Sequence, residues 1–159
     1  MITDNPYTAP ASPVQDVALT PSRLGKMPMY SPAQIFGGAF LGGPIALVYF
    51  LYRNFLSLDR EVEARATLVW GVAFNVAILA LIPFLPDKFP NSVIPLSYAI
   101  FGRSLAQSKQ LTREAISSSE QFTFQSNWRV FWMAVLFIIA WCAIALPLIF
   151  ALVYFGFLS

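Results

Sequence analysis

Hydrophobic and polar positions fall into long blocks. Three stretches, 35–52, 66–86 and 130–159, contain no Asp, Glu, Lys or Arg over 18, 21 and 30 residues. A helix needs about 20 apolar residues to cross a hydrocarbon core. Each block therefore predicts a transmembrane helix. Between the second and third blocks, residues 93–102 are apolar but end at Arg103. Ile94, Tyr98, Phe101 and Leu105 recur at helical spacing, which predicts an interfacial or partly inserted amphipathic helix. The reading is an all-α integral membrane protein with three transmembrane helices plus this amphipathic helix. The alternative is a four-helix membrane bundle with 91–106 as a crossing; it would set Arg103 deep, at about 2.5–3.5 kcal/mol near the bilayer centre. The 30-residue block suits one tilted helix bent near Pro147.

Residues 1–29 differ in kind. Prolines at 6, 10, 13, 21 and 28 block helix, and the apolar residues show no period. The expected division is a disordered proline-rich tail, 1–29, and a helical membrane domain, 30–159. The tail has no apolar signal-peptide core, so the first span is expected to serve as an uncleaved insertion signal.

The boundary is marked by Ser31-Pro32-Ala33-Gln34-Ile35. Ser31 suits the N-cap, Pro32 the first helical position, and Gln34 the third position of a capping box. Within the first span Gly38 and Gly42 lie four apart, the spacing that lets a second helix approach closely. Pro44 is expected to kink the span. In the second span Thr67, Gly71 and Asn75 share one face. Asn75 is expected to hydrogen-bond to a neighbouring helix, because lipid offers it no partner. Gly38, Gly42, Gly71 and Asn75 are thus the candidate packing residues between the first and second spans, and Ser31 and Gln34 the cap.

Composition narrows the chemistry. The chain is 57% hydrophobic and 11% charged, and its net charge of +2 is too small to suggest nucleic-acid binding. It contains no histidine and one cysteine, Cys142, so a Ser/His pair and an internal disulfide are both excluded. Asp59, Glu61 and Glu63 alternate with Arg60 and Arg65 and are expected to neutralise one another. No catalytic, cofactor-binding or metal-binding constellation stands out, and no cofactor is expected.

Basic residues number two in the tail, three across 53–65 and five across 88–129. The positive-inside rule then puts the tail and the 87–129 connection of a three-span arrangement in the cytoplasm. The 53–65 connection and the C-terminus would lie outside. With four spans the tail moves outside and the 53–65 connection inside.

Taken together, Tyr30-Ser31-Pro32-Ala33-Gln34-Ile35, Phe40-Leu41-Gly42-Gly43-Pro44, Arg53-Asn54-Phe55, the Phe84-Leu85-Pro86 to Phe89-Pro90 turn and Phe124-Gln125-Ser126-Asn127-Trp128-Arg129-Val130 resemble a group of small bacterial multi-pass membrane proteins. The Asn5-Pro6-Tyr7 to Ala9-Pro10 stretch is similar to the N-termini of other bacterial inner-membrane proteins. The resemblance implies a bacterial inner-membrane location and brings no activity. The expected function is non-enzymatic: an accessory subunit, scaffold or oligomer whose partners are the lipid bilayer and a membrane protein or further copies of itself. The alternative is a small oligomeric transporter or channel.

Overall fold

The computed structural model describes residues 26–155, except 82, 83, 87, 89 and 91. The expectations for the first 25 residues, for Pro83 and for Asp87 and Phe89 of the 87–90 turn lie outside the described residues. The elements are β1 (Met27–Met29), α1 (Pro32–Ser57), α2 (Glu61–Leu81), α3 (Val93–Lys109), α4 (Arg113–Ser118), β2 (Phe122–Phe124) and α5 (Asn127–Tyr154). Three of them, α1, α2 and α5, are long and apolar enough to cross a membrane.

The first of these is folded back on itself. Gly43 has φ 80° and ψ −174°, a non-helical conformation inside α1. Glycine enters the positive-φ region without a Cβ clash. The following Pro44 disfavours helical ψ at residue 43 and preorganises the start of a new helix. The outcome is a hairpin with limbs 32–42 and 44–57. Its closure is direct: Tyr30 N–H donates to Asn54 Oδ1 at 2.8 Å, and the Tyr30 and Phe50 rings lie 4.7 Å apart. A straight helix would separate residues 30 and 54 by about 36 Å. The limbs are about 16 and 21 Å long, short of the roughly 30 Å hydrocarbon thickness. The first apolar block therefore does not run straight, and Pro44 marks a reversal rather than a kink.

The hairpin is the hub. Tyr30, Ile35, Ala39, Leu47, Phe50 and Leu51 from it, with Tyr98 and Ala99 of α3 and Val130 of α5, form the core. α2, α3 and α5 each pack against α1. α3 runs along the second limb, Gly102 against Leu47 and Gln110 against Leu51 and Asn54. One stripe of α3, Tyr98, Ala99, Gly102 and Ala106, is buried, while Leu96, Ile100 and Phe101 on its other side are exposed. α5 runs along the first limb, Val130 beside Gly38 and Ala134 beside Gly42, and continues unbroken past Pro147.

The open end of the hairpin, here the base, collects most connections. Arg60 donates to the Lys109 carbonyl at 2.6 Å, so the 53–65 connection and the end of α3 meet there. β1 and β2 pair in parallel, Met27 opposite Phe122 and Met29 opposite Phe124, and tie the segment before α1 to the segment before α5. Residues 27–29, expected in the tail, are thus a strand. At the opposite end lie the end of α2, the start of α3 and the end of α5. Lys26, Arg53, Arg60, Arg65, Lys109, Arg113 and Arg129 lie toward the base, Arg103 follows Gly102 beside Leu47 in the tip half of the second limb, and Lys88 lies between the end of α2 and the start of α3. The 53–65 connection, expected opposite the 87–129 connection with three spans, lies instead at the end where α3 finishes, as in the four-helix alternative.

Candidate functional site at the hairpin base

Each end of the hairpin is held by one amide side chain. Asn54, 1% exposed, accepts from the Tyr30 N–H and donates from Nδ2 to the Tyr30 carbonyl at 2.7 Å. Both backbone groups of Tyr30 are thereby satisfied by one residue of the other limb. Asn54 Nδ2 also donates to Gln110 Oε1 at 2.9 Å, and Gln110 Nε2 donates to the Leu51 carbonyl at 2.9 Å. The end of α3 is thus locked to the hairpin through the same amide. Buried backbone groups require such partners, which gives Asn54 a structural role.

Gln34 does the equivalent work toward α5. Ser31 Oγ accepts from the Gln34 N–H at 3.2 Å, and Gln34 Oε1 accepts from the Ser31 N–H at 2.9 Å; both bonds of a capping box are present. The remaining Gln34 Nε2 donates to the Gln125 carbonyl at 2.6 Å and to Asn127 Oδ1 at 2.7 Å. One side chain therefore caps α1 and fixes the start of α5. Tyr30 is buried, and burial holds its phenol above the usual value near 10; its hydroxyl has no hydrogen-bond partner among the described residues.

Beside Gln34 lies a cleft of about 640 Å³ between the first limb, α4, β2 and α5. Its rim at the base carries Gln34, Arg113, Ser126 and Asn127, and its floor, deeper along the bundle, Leu41 and Ala134.

The sequence-selected packing residues are not brought together as one face. Gly38 meets Phe50 of its own hairpin and Val130 of α5. A Cβ on Gly42 would sit 2.7 Å from Ala46 Cβ and 2.8 Å from Ala134 Cα. Both glycines thus admit α5 and the second limb, not α2. Gly71 does admit α1, at Val48. Asn75 bonds within its own helix, Nδ2 donating to the Gly71 carbonyl at 2.8 Å. Its Oδ1 is buried without a partner among the described residues, beside a cavity lined by Tyr49, Tyr52 and Trp141. The reason is the fold-back: reversing the chain at Gly43 brings the second limb, not the glycine face of the first, against α2. The loop charges pair locally, Arg60 with Glu63 at 2.6 Å and Arg65 with Glu61 at 3.3 Å.

Sequence reasoning passed over Asn54, Gln110, Gln125 and Arg113. The available signal for Asn54 was a polar residue closing an apolar block next to Arg53. No family model, curated protein or solved structure matches the chain.

Proposed function

We propose that this chain is a small, non-enzymatic, multi-pass protein of the bacterial inner membrane that acts by contact, as an accessory subunit, scaffold or oligomer. The observation that carries the reading is how the polar groups of the bundle are used. Asn54, Gln110, Gln34 and Ser31 hold the chain's own backbone and one another. The remaining surface of α2 and α5 is apolar, with Trp70, Val76, Trp132, Leu136, Ile139 and Phe150 exposed. Such surface is stable against lipid or a second membrane protein.

In this reading α1 is a re-entrant hairpin entering and leaving on one face, and α2, α3 and α5 cross the bilayer around it. Irregular backbone at membrane depth is tolerated where protein covers it; Gly43 is buried beside Trp141. The base half, carrying most of the basic residues from Lys26 to Arg129, faces the cytoplasm. Arg103, six residues before the end of α3, reaches the base interface by extending its side chain. Affinity purification in mild detergent tests the reading: a stoichiometric membrane-protein partner or a defined oligomer supports it, and a monodisperse monomer without partners refutes it.

The broken helix at Gly43-Pro44 favours a second reading, a transporter or channel, because discontinuous helices line many transport sites. Solute flux into proteoliposomes containing the purified chain, abolished by Gly43→Leu, would decide for it.

A further inference from the structure

We infer that the cleft at the base is a binding site for one anionic phospholipid of the cytoplasmic leaflet. The inference rests on the membrane placement proposed above. Three features of the cleft carry it. First, its polarity is graded along the bundle axis. The polar side chains of Ser31, Gln34, Ser126 and Asn127 line the base end together with Ala33 and Phe124, while Leu41 and Ala134, toward the hairpin tip, are apolar. From residue 31 to residue 41 the helix advances about 15 Å, half the hydrocarbon thickness. A phospholipid has the same gradient over the same distance: a charged head at the interface and chains below it.

Second, the cleft carries one charge and no opposing one. Arg113 lines it, and none of its lining residues is Asp or Glu. Among the described residues Arg113, like the basic residues other than Arg60 and Arg65, makes no ion pair within 4 Å. A guanidinium presents a planar fork of donors suited to a phosphate, and basic pockets between helices on the cytoplasmic side bind anionic headgroups. Third, the cleft has room where a chain would lie. A Cβ built on Gly37 meets nothing within 4 Å, although Gly37 lines the cleft. The adjacent Gly38, which also lines the cleft, is packed against Phe50 and Val130. The headgroup phosphate therefore lies at Arg113, and one acyl chain follows Gly37, Leu41 and Ala134 toward the hairpin tip.

The test uses the full chain in nanodiscs and in delipidated micelles titrated with phosphatidylglycerol or phosphatidylcholine, bound lipid being counted by native mass spectrometry. The expected result is one phosphatidylglycerol per chain, preferred over phosphatidylcholine. Arg113→Gln should weaken phosphatidylglycerol about tenfold, the loss of one charge-assisted contact, and leave phosphatidylcholine unchanged. Gly37→Leu, which fills the floor without touching the packed face, should weaken both lipids. Equal binding of the two lipids by the unaltered chain overturns the inference. So does an equal loss from Arg103→Gln, because a diffuse basic surface would then suffice. Displacement of phosphatidylglycerol by inorganic phosphate alone overturns the lipid assignment in favour of a free anion. Failure of the chain to enter nanodiscs refutes the membrane placement itself, whereas entry without lipid preference refutes only the site.

Discussion

Replacing Asn54 with leucine should open the hairpin. Leucine keeps the branched shape of the side chain, though it is bulkier, and removes the amide. Two backbone groups of Tyr30 then lose their partners, the N–H at 2.8 Å and the carbonyl at 2.7 Å. Tyr30 is 2% exposed, so water does not replace them without local opening. Each orphaned buried group costs about 1–3 kcal/mol, giving about 2–6 kcal/mol for the pair. Gln110 Oε1 is partly buried and turns to solvent at small further cost. Against a typical folding stability of about 5–15 kcal/mol the loss is large. The global effect is measurable by SDS titration in micelles followed by circular dichroism. The local effect is more diagnostic: hydrogen exchange across residues 27–34 should accelerate, because the Tyr30 amide has no second acceptor. Gln110→Ala, which leaves both Tyr30 bonds intact, should cost about 1 kcal/mol. A change of under about 0.5 kcal/mol for Asn54→Leu, with unaltered exchange at residues 27–34, would refute the reasoning.

In a Cys142→Ser background, Gly38→Cys and Phe50→Cys should be bridged by a short bifunctional thiol reagent; a straight helix would hold them about 18 Å apart, and no bridging would rule out the fold-back. Gly42→Ala should destabilise by about 1–3 kcal/mol by overpacking, since its methyl would meet the Ala134 backbone of α5 at 2.8 Å; Gly37→Ala, in open space, should be neutral or stabilising in the same titration. Tyr30→Phe should be neutral or stabilising, because the buried hydroxyl it removes lacks a partner. Burial raises the folded-state pKa of that phenol, so its contribution is constant below pH 10 and lost as pH rises above 10; the unaltered chain should weaken there more steeply than Tyr30→Phe. A cysteine at Asp59 and a tag ahead of Met1 should be modified from the same side of the membrane in spheroplasts, and a tag after Ser159 from the other; modification of Asp59→Cys and the C-terminal tag from one side would refute the arrangement.

Much of the architecture is determined by short-range chemistry and so is legible along the chain. The apolar blocks set where the long apolar helices lie. The Ser31-Pro32-x-Gln34 start is a local hydrogen-bond device, and its bonds span three residues. The charged 59–65 segment resolves into pairs three and four residues apart for the same reason. What the sequence left open depends on contacts between distant residues. Gly43-Pro44 permits either a kinked crossing or a reversal, and the choice falls to Asn54, eleven residues on, which satisfies Tyr30 only if the limbs return together. Once the chain reverses, the glycines at 38 and 42 face α5 instead of α2. α3, too short and too charged to read as a crossing on its own, gains a partner in the second limb from Gly102 to Gln110. The cleft at Arg113 likewise exists only because Gln34 binds the start of α5 and β1 pairs with β2, contacts spanning more than ninety residues. Periodicity records which face of a helix is apolar; which neighbour covers it is decided by where the backbone turns.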